Sequence, residues 1–84
     1  MPNKEYQGHE SWNAWNVSLY IANDYALYST AVEALKATRT VRQATDRFFA
    51  LTGLQNTKTP DGANYSARSV GLALMGLEIN QKED

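Results

Sequence analysis

The sequence predicts an all-α protein, a compact bundle of four short helices with one Pro/Gly-containing loop before the last helix. Three observations lead there. Apolar residues recur at three- and four-residue spacing in four separate segments. Capping residues stand where those segments begin and end. No stretch alternates apolar and polar residues at a two-residue period over a useful length. With 84 residues, the chain can hold one domain with one modest core, so residues 1–84 are expected to form a single helical domain.

The first ten residues, MPNKEYQGHE, are polar and read as a flexible lead-in. Ser11 has the chemistry of an N-cap, since its hydroxyl can accept from the free amides of the next turn. The first helix is expected over 12–22. At about 100° per residue, Trp12, Trp15, Leu19 and Ala22 line one face, with Ala14, Val17 and Ile21 extending the apolar arc. That arc is the expected core face, and Asn13, Asn16, Tyr20 and Asn23 form an amide-rich stripe beside it.

Asn23 and Asp24 are capping residues, and the next helix is expected over 25–37, with Leu27, Tyr28, Ala31, Val32 and Leu35 sharing a face. After a break at 38–40, Val41, Ala44, Phe48 and Leu51 set a third helix over 40–52, and Gly53 sits where a left-handed C-terminal cap belongs. The segment LQNTKTPDGANYS is rich in turn formers, notably Pro60, Asp61 and Gly62, and is the one substantial loop. The fourth helix is expected over 66–80, with Ala67, Val70, Leu74 and Leu77 on one face and Leu72, Met75 and Ile79 on the next. Gly71 and Gly76 each cost about 1 kcal/mol there relative to alanine, so another backbone is expected to approach them closely. The terminal QKED, residues 81–84, is expected to fray.

Composition removes several function classes. The chain has no cysteine and a single histidine, so disulfides, thiolate metal sites and histidine-based metal sites have no ligands, and no metal or cofactor is expected. A net charge of −1 fits neither a generally basic nucleic-acid binder nor an acidic DNA mimic. No apolar run is long enough to span a bilayer, and the N-terminus lacks the apolar stretch of a signal peptide, which predicts a cytoplasmic protein. His9 and Glu10 are sequence neighbours in a polar lead-in and do not converge on a substrate. Ser11, Ser18, Ser29, Ser66 and Ser69 have no nucleophile-elbow or Ser-x-x-Lys context, so no enzyme is expected.

Two constellations remain. Lys36, Arg39, Arg42 and Arg47 make a locally basic segment, a candidate nucleic-acid contact whose plainer reading is a solvated helix face. Asn13, Asn16 and Asn23 are poor helix formers on a face that would ordinarily carry Glu, Lys or Arg. Either they satisfy polar groups inside the fold, the commoner use of a buried amide, or they meet a partner beside aromatic residues. On the second reading the partner-binding residues are Asn13, Asn16, Tyr20, Tyr25 and Tyr65, and the three tyrosines are the expected exposed aromatics.

Tyr6, Gly8, Ser11, Trp15-Asn16-Val17, Leu19, Ile21, Asn23-Asp24 and Leu27-Tyr28, followed by Thr59-Pro60-Asp61-Gly62 and Tyr65, resemble a family of small proteins from bacteriophages and other mobile elements. Its shared core is Tyr-x-Gly, then Thr-Trp-Asn-Val, then Asn-Asp about seven residues on. Ala14 replaces the family's threonine and Ala22 an acidic residue, so roles resting on those groups do not carry over. The resemblance implies a setting rather than a chemistry: a small accessory protein that acts in a bacterial cytoplasm against a host defence complex, in the manner of an anti-CRISPR, by direct protein contact. The alternatives are a small DNA-binding regulator using residues 36–47 and a homodimer packed through the glycine-bearing fourth helix.

Overall fold

A computed structural model describes residues 11–82, with side chains placed to Glu78. The expectations for residues 1–10, His9 and Glu10 among them, and for residues 83–84 fall outside the described part. Four helices follow one another: α1 (Trp12–Asn23), α2 (Tyr25–Ala37), α3 (Val41–Thr52) and α4 (Ala67–Lys82). The expected all-α bundle is observed, and α4 carries two residues of the terminal QKED in its last turn.

Each boundary is made by a cap. Ser11 Oγ accepts from the Ala14 N–H at 3.1 Å. Asp24 closes one helix and opens the next: its N–H donates to the Tyr20 carbonyl at 3.1 Å, and its carboxylate accepts from the Leu27 N–H at 3.1 Å. Thr40 Oγ1 accepts from the Gln43 N–H, while the Gln43 side chain reaches back to the Arg39 N–H. The Thr40 cap places that residue just outside α3, and Gln43 satisfies the amide one position before it. Gly53 ends α3 at φ 73° with its N–H on the Phe49 carbonyl. Ser66 and Ser69 cap α4 reciprocally, each hydroxyl accepting from the other's N–H.

α1 packs on α2 and α4, and α3 packs on the same two helices. The core between them is small-residue rich: Ala14, Ala31, Ala34, Ala44, Ala63 and Ala73 are buried around Val17, Ile21, Phe48, Val70 and Leu74. Alanine lets helices approach closely, and the larger side chains fill the space that remains. Phe48 and Phe49 meet edge to face at 6.1 Å between centroids. In α3 the inward direction falls between the pairs Ala44/Thr45 and Phe48/Phe49, all buried, so Leu51 turns outward to 49 % exposure. Ala67 and Met75 of α4 are exposed for the same reason of phase.

The loop is more ordered than its composition implied. Residues 56–65 fold as a short antiparallel ribbon with one bridge, Lys58 to Asn64. The Thr59 N–H donates to the Ala63 carbonyl at 2.7 Å, and the Gly62 N–H donates to the Thr59 carbonyl at 2.9 Å. Pro60 and Asp61 occupy the centre of the turn, and Gly62 follows at φ 96°. That is the three-residue hairpin pattern, in which a tight turn is followed by a left-handed glycine. A second turn, Leu54 to Thr57, leads in, with Asn56 at φ 67°, a conformation asparagine tolerates better than other non-glycine residues.

The glycines of α4 do not do what their propensity cost suggested. A Cβ on Gly71 would meet Thr45 Oγ1 at 3.6 Å, an ordinary contact, and one on Gly76 would meet nothing within 4 Å. Among the described residues, no backbone crowds either position. Gly76→Ala is therefore expected to stabilise the protein by about 1 kcal/mol, read as a higher urea midpoint at an unchanged denaturant slope.

Candidate functional site

Two amides of the α1 stripe, Asn16 and Asn13, face the ribbon, whereas Asn23 at the end of the helix is exposed. Asn16 is 1 % exposed. Its Oδ1 accepts from Thr59 Oγ1 at 2.7 Å, and its Nδ2 donates to Asp61 Oδ2 at 3.0 Å. Thr59 Oγ1 in turn accepts from the Ala63 N–H at 3.0 Å, so one buried amide ties the helix to both sides of the turn. One helical turn earlier, Asn13 Oδ1 accepts from the Asn64 N–H at 2.7 Å and its Nδ2 donates to the Asn64 carbonyl at 3.0 Å. In a ribbon bridged at Lys58 and Asn64, those two backbone groups point away from the other strand. The Asn13 side chain thus pairs with the ribbon's outer edge as a third strand's peptide group would.

Tyr20 completes the contact. Removal from water, and then the adjacent Asp61 carboxylate that accepts from its hydroxyl, raise the Tyr20 pKa above the ordinary 10.0. Burial, followed by the charges of Asp24 and Tyr20, raises Tyr65 in the same direction. Tyr65 is buried, not the exposed aromatic the sequence suggested, because its backbone is paired with Asn56 and Thr57 and its ring sits in the core cluster. Of the five residues read as partner-binding, Asn13, Asn16 and Tyr65 are therefore consumed inside the fold, and Tyr20 is half-buried on Asp61. Only Tyr25, 84 % exposed at the start of α2, stands free in solvent.

With Asn16 seated inward, the expected core arc divides: Ala14, Val17 and Ile21 are buried as expected, whereas the Trp12 and Leu19 edge turns outward. Trp12 and Leu19 are each 39 % exposed, and Trp15 between them is half-buried. The buried arc is Ala14, Val17 and Ile21. Trp12, Trp15 and Leu19 follow the i, i+3, i+7 spacing that places side chains along one helix edge. Beside them lies a groove of about 160 Å³ between α1 and α4, with Ser18 and Ala22 on one wall and Gly76 and Leu77 on the other. Sequence reading found these residues and assigned them the wrong environment. The signal that points the right way is the asparagines' poor helix propensity, which implies that the amides are needed where they are.

The basic segment does not converge. Arg47 pairs with Glu33 of α2 at 3.3 Å, whereas Arg42 lines a groove against α4. Five residues apart on one helix, they diverge by roughly 140°. Lys36 and Arg39 are exposed at the α2–α3 junction, so the four cations form no single patch. Among the described residues, no three His, Asp or Glu side chains stand together as metal ligands would, and no helix is long and apolar enough to cross a membrane.

The tie between Asn16 and the ribbon has a measurable value. Asn16→Ala takes the buried partner from the Thr59 hydroxyl, while the exposed Asp61 carboxylate can turn to water, and it is expected to cost about 1–2 kcal/mol, read by urea denaturation. Because Tyr20 and Tyr65 hold their protons more tightly in the folded chain than when unfolded, their contribution is complete below pH 10.0 and is lost as pH rises through the folded values. The urea midpoint should fall above that pH, and less steeply in Tyr20→Phe. Comparison with known proteins finds no curated relative and no solved structure that matches this chain. A family match does cover residues 2–82, and the chain belongs to DUF7249, a family of unknown function.

Proposed function

We propose that this protein is a non-catalytic interaction module that grips a partner protein with the outer edge of α1. One observation carries the reading: α1 seals Asn16 inside beside Ala14, Val17 and Ile21 and leaves Trp12 and Leu19 each 39 % exposed on its outer edge, with Trp15 half-buried between them. Exposed tryptophans are costly for a free surface and are the residues most enriched among interface hot spots. The i, i+3, i+7 spacing is how a helix presents anchors to an apolar groove on another protein. These side chains replace Asn13, Asn16, Tyr20 and Tyr65 as the contact residues, and Tyr25 remains available beside α2's start. The phage-like sequence pattern suggests the partner's class, a bacterial defence complex, with inhibition by occupancy of its surface.

Affinity capture of the tagged chain from a bacterial lysate tests this against Trp12→Ala and Leu19→Arg. Both positions are open to solvent, so circular dichroism should stay at wild-type levels while retention of the partner weakens by about 2 kcal/mol, roughly thirtyfold. Equal retention by wild type and both variants, or no retained protein at all, refutes the assignment.

A further inference from the structure

A second surface lies on α3 and α4, away from the outer edge of α1 in the elements that form it. Between α3 and α4 runs a groove of about 450 Å³. Its apolar lining is Val41, Leu72 and Met75, and Met75 is 45 % exposed. Gly71 lies in its floor, where a methyl group would fit without a clash. Arg42 and Asp46 stand on its rim, one helical turn apart. Among the described residues, neither makes a hydrogen bond or ion pair with any other, each other included. Arg68, on the opposite wall, is engaged within the chain.

We infer that this groove is the interface of a twofold-symmetric homodimer, in which Arg42 of each copy pairs with Asp46 of the other across a seam of Val41, Leu72 and Met75. The argument is one of complementarity. In a twofold interface, residue i meets residue j while j meets i, so the surface must carry both charges in exchangeable positions. A lone cation and a lone anion 5–6 Å apart along one helix edge, at about 1.5 Å rise per residue, meet that requirement. The core, rich in alanine, gives a chain of this length reason to gain stability from a second copy.

The two charges supply a decisive experiment. Sedimentation equilibrium of the full chain at micromolar concentrations should show a dimer. Arg42→Asp alone and Asp46→Arg alone set like charges opposite each other twice per interface and should weaken dimerisation at least about tenfold. Mixing the two single variants in equal amounts should restore a dimer, now a heterodimer, because every pair is again opposite in sign. The double variant R42D/D46R should restore the homodimer. Leu19→Arg should leave the association unchanged, which separates this face from the edge of α1. A wild-type monomer at up to about 1 mM, where association would be worth under about 4 kcal/mol, overturns the inference. So does a dimer that ignores both charge reversals, or one abolished by Leu19→Arg.

Discussion

The buried amide of Asn16 sets the attitude of α1, and most of the molecule depends on that setting. Its two hydrogen bonds reach Thr59 and Asp61 on a ribbon more than 40 residues away in sequence. A buried polar group that loses such partners costs more than one simple contact is worth, so rotation of the helix about its axis is opposed steeply. With Asn16 seated, Asn13 and Tyr20 fall onto the same ribbon, and Ala14, Val17 and Ile21 are brought to the core. Trp12 and Leu19 are then left at the outer edge and Trp15 half-buried. Burial of one amide and exposure of that edge are a single event in this helix.

That event also marks the boundary of what sequence reading could reach. Helix number, order and ends follow from local chemistry: a hydroxyl or carboxylate at Ser11, Asp24 and Thr40, a glycine at position 53, and apolar spacing between them. Each of these signals acts within four residues, and each is legible. The phase of α1 is decided by a tie to a distant turn, which no local pattern encodes, and weighting tryptophan as an interior residue pointed the opposite way. The ribbon was visible only as its turn, because a strand pair bridged once is too short to show alternation. In α3, burial of consecutive residues, Thr45 after Ala44 and Phe49 after Phe48, placed the core between two stripes instead of along one. Of the candidate site, Tyr25's exposure was legible, whereas the placement of Asn13, Asn16 and Tyr65 required their long-range partners to be known.

The two proposed surfaces stand in different physical regimes. The edge of α1 is aromatic and nearly uncharged, suited to a desolvated contact whose strength lies in slow dissociation. The α3–α4 groove is apolar at its centre and charged at its rim, suited to fixing a register. If both are used, the assembly carries two copies of the aromatic edge on one rigid body. A target with repeated subunits would then be held with an effective local concentration in place of a second independent encounter, and avidity could exceed the single-site affinity by 10²–10⁴-fold.

The pairing of Asn13 with Asn64 bears on a hazard common to all small ribbons. A strand whose outer N–H and C=O groups are unpaired is a template for the same strand in another molecule, and such edges seed aggregation. The segment from Asn56 to Tyr65 is rich in threonine and carries little charge beyond Lys58 and Asp61. One asparagine side chain on a neighbouring helix occupies the outward-facing pair at its centre. The Asn64 carbonyl also accepts from Ser69 Oγ at 2.8 Å, so α1 and the start of α4 together close this edge, and a second strand finds no free pair there to add to.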